Sequence, residues 1–359
     1  MIDRTILTSI GHLTVSRRYY ACSQCKTKQI PLDVWAGLGA RHVSEHARRM
    51  LTLAGMSQSF DKAAMTLKEL SHITVSDDTI ERICQEEGRG AAQWVGSSPQ
   101  ASQSFAQAPG EAELYSDGLM INTVDGWREM RTSVLAKRQP GLSATPQQWS
   151  DRLLEEPTAR LAVCAIAPAN VVGASWPRLC KQGQLQKSQS LSVIADGARW
   201  IWDQAATRFK DRPMHWVVDI YHVSEHLHAC GKMMFGEGPA ARNWGERHRD
   251  RLLELQGPRF LEELLAQING CKEPEHRTAM MKLKSYLEDN RDSLWYRERL
   301  HAGLPIGSGL IEGACKNAPG ARLKLNSARW RIRRAERIAA LRCLDYSGQW
   351  DAYWLSRAA

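Results

Sequence analysis

Three carboxylates in this chain sit where the chemistry of divalent cations would want them. Asp117 lies in Tyr115-Ser-Asp-Gly118, Asp196 ends Val193-Ile-Ala-Asp196, and Glu312 follows the glycine-rich turn Ile306-Gly-Ser-Gly309. The first two fall in apolar, strand-like runs, where Asp is disfavoured. Cutting a phosphodiester with two Mg²⁺ (or Mn²⁺) ions about 3.5–4 Å apart needs hard oxygen ligands on both ions, and carboxylates supply them. Each acid has a plainer reading when taken singly. Asp-Gly is a common turn dipeptide, and a Glu near a helix start complements the helix dipole. Joint placement is what points to chemistry. A second constellation is Asp219-Ile-Tyr-His222, followed by Glu225 and His226. Asp219 and His222 are three apart and share a helical face. They read as groups that orient the acids, as an alternative acid and ligand, or as a structural hydrogen-bonded pair.

The elements around these residues follow from hydrophobic period and turn chemistry. Leu114 to Thr123 and Trp127 to Lys137 read as strands joined at Asp125-Gly126, a strong hairpin dipeptide. Arg160 to Ala167 is a third strand, Leu191 to Ala195 a fourth and Met214 to Ile220 a fifth. A short amphipathic piece covers Ser175 to Leu185, and a helix runs from Ala198 to Phe209. Beyond the fifth strand the pattern is helical to about Arg299. A three-strand meander followed by alternating helices and strands predicts an α/β fold, a ribonuclease-H-like core with a helical insertion. In such a sheet the first and fourth strands are neighbours, so Asp117 and Asp196 can converge, with a late helix bringing Glu312.

Ahead of this core, Val43 to Ala54, Ser59 to Leu70 and a stretch capped by Ser76 read as three helices. Three short helices with tight turns resemble a helix-turn-helix domain. The third carries Asp77, Asp78, Glu81, Glu86 and Glu87, however, and that acidity opposes insertion into a DNA groove. Cys22-Ser-Gln-Cys25 is half of a tetrahedral zinc site, and no second pair follows at ribbon spacing. Cys22 and Cys25 are therefore candidate zinc ligands in an incomplete set. The expected organisation is a cysteine-knuckle lead-in over 1–40, a helical domain over 41–95 and a linker over 96–110. The core follows over 111–222, the helical insertion over 223–304, and the last core helix with a basic C-terminal segment over 305–359.

The chain carries a formal net charge of +9, unevenly placed. Lys316, Arg322, Lys324, Arg329, Arg331, Arg333, Arg334, Arg337 and Arg342 face a single acid, Glu336, across the same stretch. Such clustering suits a polyanion, and a solvated helix face is the plainer alternative. Lys316 sits one turn after Glu312, placed to hold a DNA backbone or to pair with Glu312. The most apolar stretch, Leu161 to Ala174, is interrupted by Pro168 and Asn170, so no membrane span is expected. Nine scattered cysteines and no secretory pattern after Met1 suggest reduced thiols in the cytoplasm.

Several blocks in order carry a resemblance. They are Asp117-Gly118 with Gly126-Trp-Arg-Glu129, Ala195-Asp-Gly-Ala-Arg-Trp-Ile-Trp202, Val217-Val-Asp-Ile-Tyr-His-Val-Ser-Glu-His-Leu227, Gly303-Leu-Pro-Ile-Gly-Ser-Gly-Leu-Ile-Glu-Gly-Ala-Cys-Lys316 and Gly348-Gln-Trp-Asp351. Tyr20-Ala-Cys-Ser-Gln-Cys25 with Pro31-Leu-Asp33 precedes them. Together the chain resembles DDE-type transposases of bacterial insertion sequences of the ISKra type, distant relatives of the Mutator-like group. The resemblance implies that Asp117, Asp196 and Glu312 are catalytic and hold two Mg²⁺ ions. It implies double-stranded DNA, element ends and target, as the partner, with at least a dimer to cut two ends. Two rival readings stand beside it: a structure-specific nuclease on the same fold, and a domesticated or truncated copy that only binds DNA. The chain departs from the family in lacking an upstream cysteine pair. It departs again in Asn317-Ala-Pro-Gly320, where Pro319 would break a continuous helix.

Overall fold

The computed structural model describes residues 1–35 and 42–358. The end of the expected lead-in and the first residue of the expected helical domain, within 36–41, lie outside the described residues. The chain forms two compact units. One holds Met1–Ala101, Asn122–Gly126 and Ala318–Ala359; the other holds Ser102–Ile121 and Trp127–Asn317.

The first unit opens with the antiparallel pair β1 (Ile2–Thr8) and β2 (Gly11–Arg17), and the small pair β3 (Tyr20–Ala21) and β4 (Lys28–Gln29). A short α1 (Pro31–Trp35) follows. Then come α2 (Glu45–Ser57), α3 (Phe60–Ser71) and α4 (Asp77–Ser97), close to the three helices predicted. Ser76 caps α4 by accepting from the Thr79 amide, as its residue type suggests. The acids of α4 are occupied internally. Arg48 donates Nε to Glu87 (2.8 Å) and Nη2 to Glu86 (2.9 Å), and Tyr353 donates to Glu87 (2.6 Å). With Arg48 and Glu87 both buried, this pair anchors α2 to α4.

The second unit is built on a five-stranded sheet. Its strands are β5 (Glu111–Thr123), β6 (Gly126–Arg138), β7 (Ala159–Ala165), β8 (Leu191–Ala195) and β9 (Met214–Val218), ordered β7-β6-β5-β8-β9. β7 is antiparallel to β6, while β8 runs parallel to both β5 and β9. α5 (Gln103–Gln107) precedes the sheet, and α6 (Ala169–Gln182) and α7 (Arg199–Arg208) lie between its strands. Alternation along the strands divides the sheet's faces. Ala112, Leu114, Leu191, Val193 and Ala195 join a core with Trp176 and Leu179 from α6, Ile201 from α7 and Phe209 just after it. Burying side chains of this size stabilises by roughly 1.5–3 kcal/mol each. Glu113, Tyr115 and Asp117 on β5 alternate with that set, as do Ser192, Ile194 and Asp196 along β8 and its end.

Residues 96–110, expected as a linker, are folded. They hold the end of α4, a 3₁₀ turn over Pro99–Ser102 and α5, whose Phe105 is buried in the sheet's core. One large apolar side chain in a Gln/Ser/Ala-rich stretch is enough to dock a short helix.

After β9 come α8 (Ile220–Phe235), α9 (Pro239–Gly270), α10 (Pro274–Asp289), α11 (Tyr296–His301) and α12 (Gly309–Cys315). α9 is two helices across a kink, where Gln256 takes φ 69° just before Gly257-Pro258. Pro258 lacks the amide a straight helix needs. Pro319 does not end the helical path after α12. Lys316–Gly320 widen into a π-helical turn that accommodates it. The remaining elements, α13 (Ala321–Leu323), α14 (Ile332–Tyr346) and α15 (Trp350–Ala358), belong to the first unit. The basic C-terminal segment, expected to extend the core, therefore groups from Ala318 onward with the N-terminal helices. No helix among the described residues is long and apolar enough to cross a membrane.

Candidate active site

The register between β5 and β8 pairs Glu113 with Ser192 and Tyr115 with Ile194. The pairing ends there, with Asp117 two residues further along β5 and Asp196 just past the end of β8, close enough for their charges to interact. Each acid anchors one oxygen to nearby backbone. Asp117 Oδ1 accepts from the Gly118 amide (2.6 Å), and Asp196 Oδ1 accepts from the Ala198 amide (2.8 Å). Glu312 stands in the first turn of α12, with Lys316 Nζ 3.6 Å from its Oε2. That exposed pair is worth little in itself.

The acids act on one another electrostatically. Burial holds the Asp117 carboxyl above its ordinary range, and the charges of Asp196 and Glu312 push it further up. The Gly118 amide and His222 oppose the shift. Asp117, Asp196, Glu312 and His222 therefore share one electrostatic neighbourhood. Among the described residues, no three His, Cys, Asp or Glu side chains converge as a ready ligand set. The arrangement is a concentration of like charge with hard oxygen donors, which a cation would relieve.

Asp219 has a different place. It is fully buried at the N-cap of α8. Its Oδ1 accepts from the amides of Tyr221 (2.5 Å) and His222 (3.3 Å), and its Oδ2 accepts from the amide and hydroxyl of Ser308. Both oxygens are thus spent on the protein, tying the start of α8 to the turn that introduces Glu312. The His222 side chain is not Asp219's partner; its Nδ1 lies 3.3 Å from Glu225 Oε2.

Sequence reasoning does not find Tyr286 on α10. Its hydroxyl is buried and has no hydrogen-bond partner among the described residues. Burial raises its pKa first, with the nearby charge of Asp196 next. The His226 ring stacks on it at 3.7 Å. No spacing signal marks Tyr286, because only the return of α10 towards the end of β8 gives it meaning.

The basic residues divide. Arg322, expected to touch DNA, is instead buried between the rings of Phe60 (4.6 Å) and Trp330 (4.9 Å) and donates Nε to Gly55 O (2.9 Å). It is a structural cation–π filling and is not presented to a strand. Lys324, Arg329, Arg331 and Arg334 are exposed. Arg329, Arg331 and Arg334 line a cavity of about 540 Å³ together with Asp61, Asp77 and Glu81. Arg334 Nη1 is 2.6 Å from Glu81 Oε1, so part of the positive charge is already answered. If this face meets a DNA backbone, neutralising Arg329, Arg331 and Arg334 together should weaken binding irrespective of sequence. The salt dependence should flatten by about 0.9 log–log units for each phosphate that is no longer neutralised. A binding series over salt concentration checks it, and an unchanged slope would make this a solvated face.

Cys22 and Cys25 lie exposed on the β3–β4 turn, where the Cys25 amide reaches Cys22 Sγ (3.5 Å). The Thr27 hydroxyl, 3.1 Å away, is the main cause that brings the Cys25 thiol down to about 7. Burial pushes Cys84 and Cys230 up to about 12 and Cys180 to about 11. Limited iodoacetamide at neutral pH, read by peptide mass spectrometry, should therefore label Cys25 well before these three. Equal labelling would contradict the assignment.

No family model matches the chain, and no curated protein matches it. The functional reading therefore rests on the residues themselves.

Proposed function

We propose that this chain is a metal-dependent DDE transposase on a ribonuclease-H-like fold, one that cuts DNA at element ends and joins the freed 3′-OH to target DNA. What supports the reading is that the charges of Asp196, just past the end of β8, and of Glu312 both act on Asp117 of the neighbouring parallel strand β5. The donor set fits hard cations. Asp117, Asp196 and Glu312 would hold two Mg²⁺ or Mn²⁺ ions, whose chemistry is activation of the attacking oxygen and stabilisation of the leaving one.

The chain's own residues do the positioning. Asp219 holds the Gly307-Ser308 turn, which fixes where α12 starts and so where Glu312 stands. The Ala198 amide orients the Asp196 carboxylate, and the Gly118 amide orients that of Asp117. Exposed Lys316, Lys324, Arg329, Arg331 and Arg334 supply positive charge for the DNA backbone, and cutting two ends calls for at least two copies of the chain.

Incubation with Mg²⁺ and duplex DNA carrying the element's ends tests the proposal. Strand cleavage followed by joining to a second duplex is expected. Cleavage without joining would favour a structure-specific nuclease, and DNA binding with neither reaction would favour a non-catalytic DNA-binding protein.

A further inference from the structure

Beside the turn that introduces Glu312 lies a short tier of aromatic rings. Tyr221, in the first turn of α8, is 55% exposed, unusual for a large ring so close to a buried anchor such as Asp219. One edge of its ring lies against Gly307, where a Cβ would fall 3.1 Å from Cε2. A side chain at 307 would press on the ring, which would have to give by a few tenths of an ångström. Trp149 packs on Tyr221 with centroids 5.5 Å apart, and the Arg249 guanidinium lies 5.1 Å from the Trp149 centroid while also meeting Asp250 at 2.8 Å.

A second guanidinium, that of Arg152, is tied to the chain leading into the Gly307 turn. Arg152 donates Nη1 to Leu304 O (2.9 Å), and no carboxylate pairs with it among the described residues. Burial lowers its pKa, as does Arg299, whereas Tyr221 acts in the opposite direction and so lies within electrostatic reach. Trp149 thus lies between Arg249 and Tyr221, and Tyr221 in turn lies against the turn that Asp219 anchors. A packed core would cover the Tyr221 ring, and a solvated surface would not need one. Tyr221 is the exposed ring and Trp149 a half-buried one packed on it. An exposed ring backed by a second ring and near cations suits an unpaired nucleotide, whose base can stack on the ring and whose phosphate can meet a guanidinium.

We propose that Tyr221 and Trp149, flanked by Arg152 and Arg249, form a stacking platform for unpaired bases of a single DNA strand lying next to the carboxylates. This deepens the reading of Asp117, Asp196 and Glu312 as a strand-cutting centre. It names the form of substrate that centre meets, a locally unpaired strand with its bases turned onto protein rings.

The test uses the full chain without divalent cations, a single-stranded oligodeoxynucleotide containing 2-aminopurine, and a duplex of the same length. Stacking on Tyr221 should quench the 2-aminopurine fluorescence. Tyr221→Ala should weaken single-strand binding by about 5- to 150-fold and relieve the quench, with little change for the duplex. Tyr221→Phe should behave as the wild type. Tyr221→Leu keeps apolar bulk without a π face and should resemble Tyr221→Ala; it decides the matter if the alanine variant fails to fold. Equal single-strand binding by wild type and variants would overturn the platform, as would parallel losses on single strand and duplex. Because no cleavage is needed, the two readings separate. A protein that shows Tyr221-dependent strand binding yet cuts no DNA in Mg²⁺ overturns the cutting centre and leaves the platform standing.

Discussion

Asp117→Asn is expected to melt at a higher temperature than the wild type at neutral pH while losing metal-dependent cleavage. The first half follows from linkage. The folded protein holds the Asp117 carboxyl above its unfolded pKa, chiefly by burial and then by the charges of Asp196 and Glu312. The folded state therefore binds more protons than the unfolded one over that interval, and stability falls as pH rises from the unfolded pKa through the folded one. Above it the penalty is complete. Asparagine removes the charge and keeps the shape, so the penalty vanishes; each kcal/mol recovered is worth about 2–4 °C in Tm for a unit of this size. Below the unfolded pKa the two proteins should melt alike. The second half follows from the proposed role. Loss of an oxygen ligand should cost more than the about 10–100-fold typical of a change one shell further from the metal. Melting curves across pH, beside single-turnover nicking in Mg²⁺, check both halves. Added Mg²⁺ should raise the wild-type Tm more than that of Asp117→Asn, because only the wild type has a full set of charges for it to neutralise.

Asp219→Ala should have the opposite character. Removing this side chain strands the Ser308 amide and hydroxyl in a buried place and leaves the part-buried amides of Tyr221 and His222 without their acceptor. Hydrogen bonds to a charged group are worth about 1.5–3 kcal/mol each, and a lost N-cap alone costs about 0.5–2 kcal/mol. A destabilisation of about 3 kcal/mol or more is expected, read as a shift in the denaturant midpoint. Asp219→Asn keeps an acceptor for one pair of donors and should lose less stability. Its cleavage should fall about 10–100-fold, because the turn before Glu312 loosens. An Asp219→Ala protein as stable as the wild type would show that the buried anchor does not hold this turn.

How much of this is legible in the sequence depends on whether the cause is local. β8 is readable to the residue, because five apolar-patterned positions between Ser190 and Asp196 leave no other element of that length. The Ser76 cap is visible for the same kind of reason, since residue type and helix start coincide. The neighbourhood of Asp117 and Asp196 is accessible through period-two alternation and the expected strand order. What the sequence withholds is tertiary. Arg322 looks like one more surface cation in a basic run; only Phe60, more than two hundred positions away, turns it into a buried filling between two rings. α5 is hidden in a Gln/Ser-rich stretch because a single Phe105 docks it. Tyr286 and Trp149 carry no motif, and their meaning comes from helices and loops that return to the sheet's edge. Pro319 reads as a helix breaker by the usual rule, which a π-helical turn evades.

Whether Asp117, Asp196 and Glu312 act as one centre is decided by single-turnover nicking of duplex DNA with element ends. Asp117→Asn, Asp196→Asn and Glu312→Gln are compared with the wild type in Mg²⁺, each with its DNA affinity measured alongside. All three variants should fall to the uncatalysed background while binding DNA as the wild type does. Wild-type cutting by any one of them would contradict a single centre.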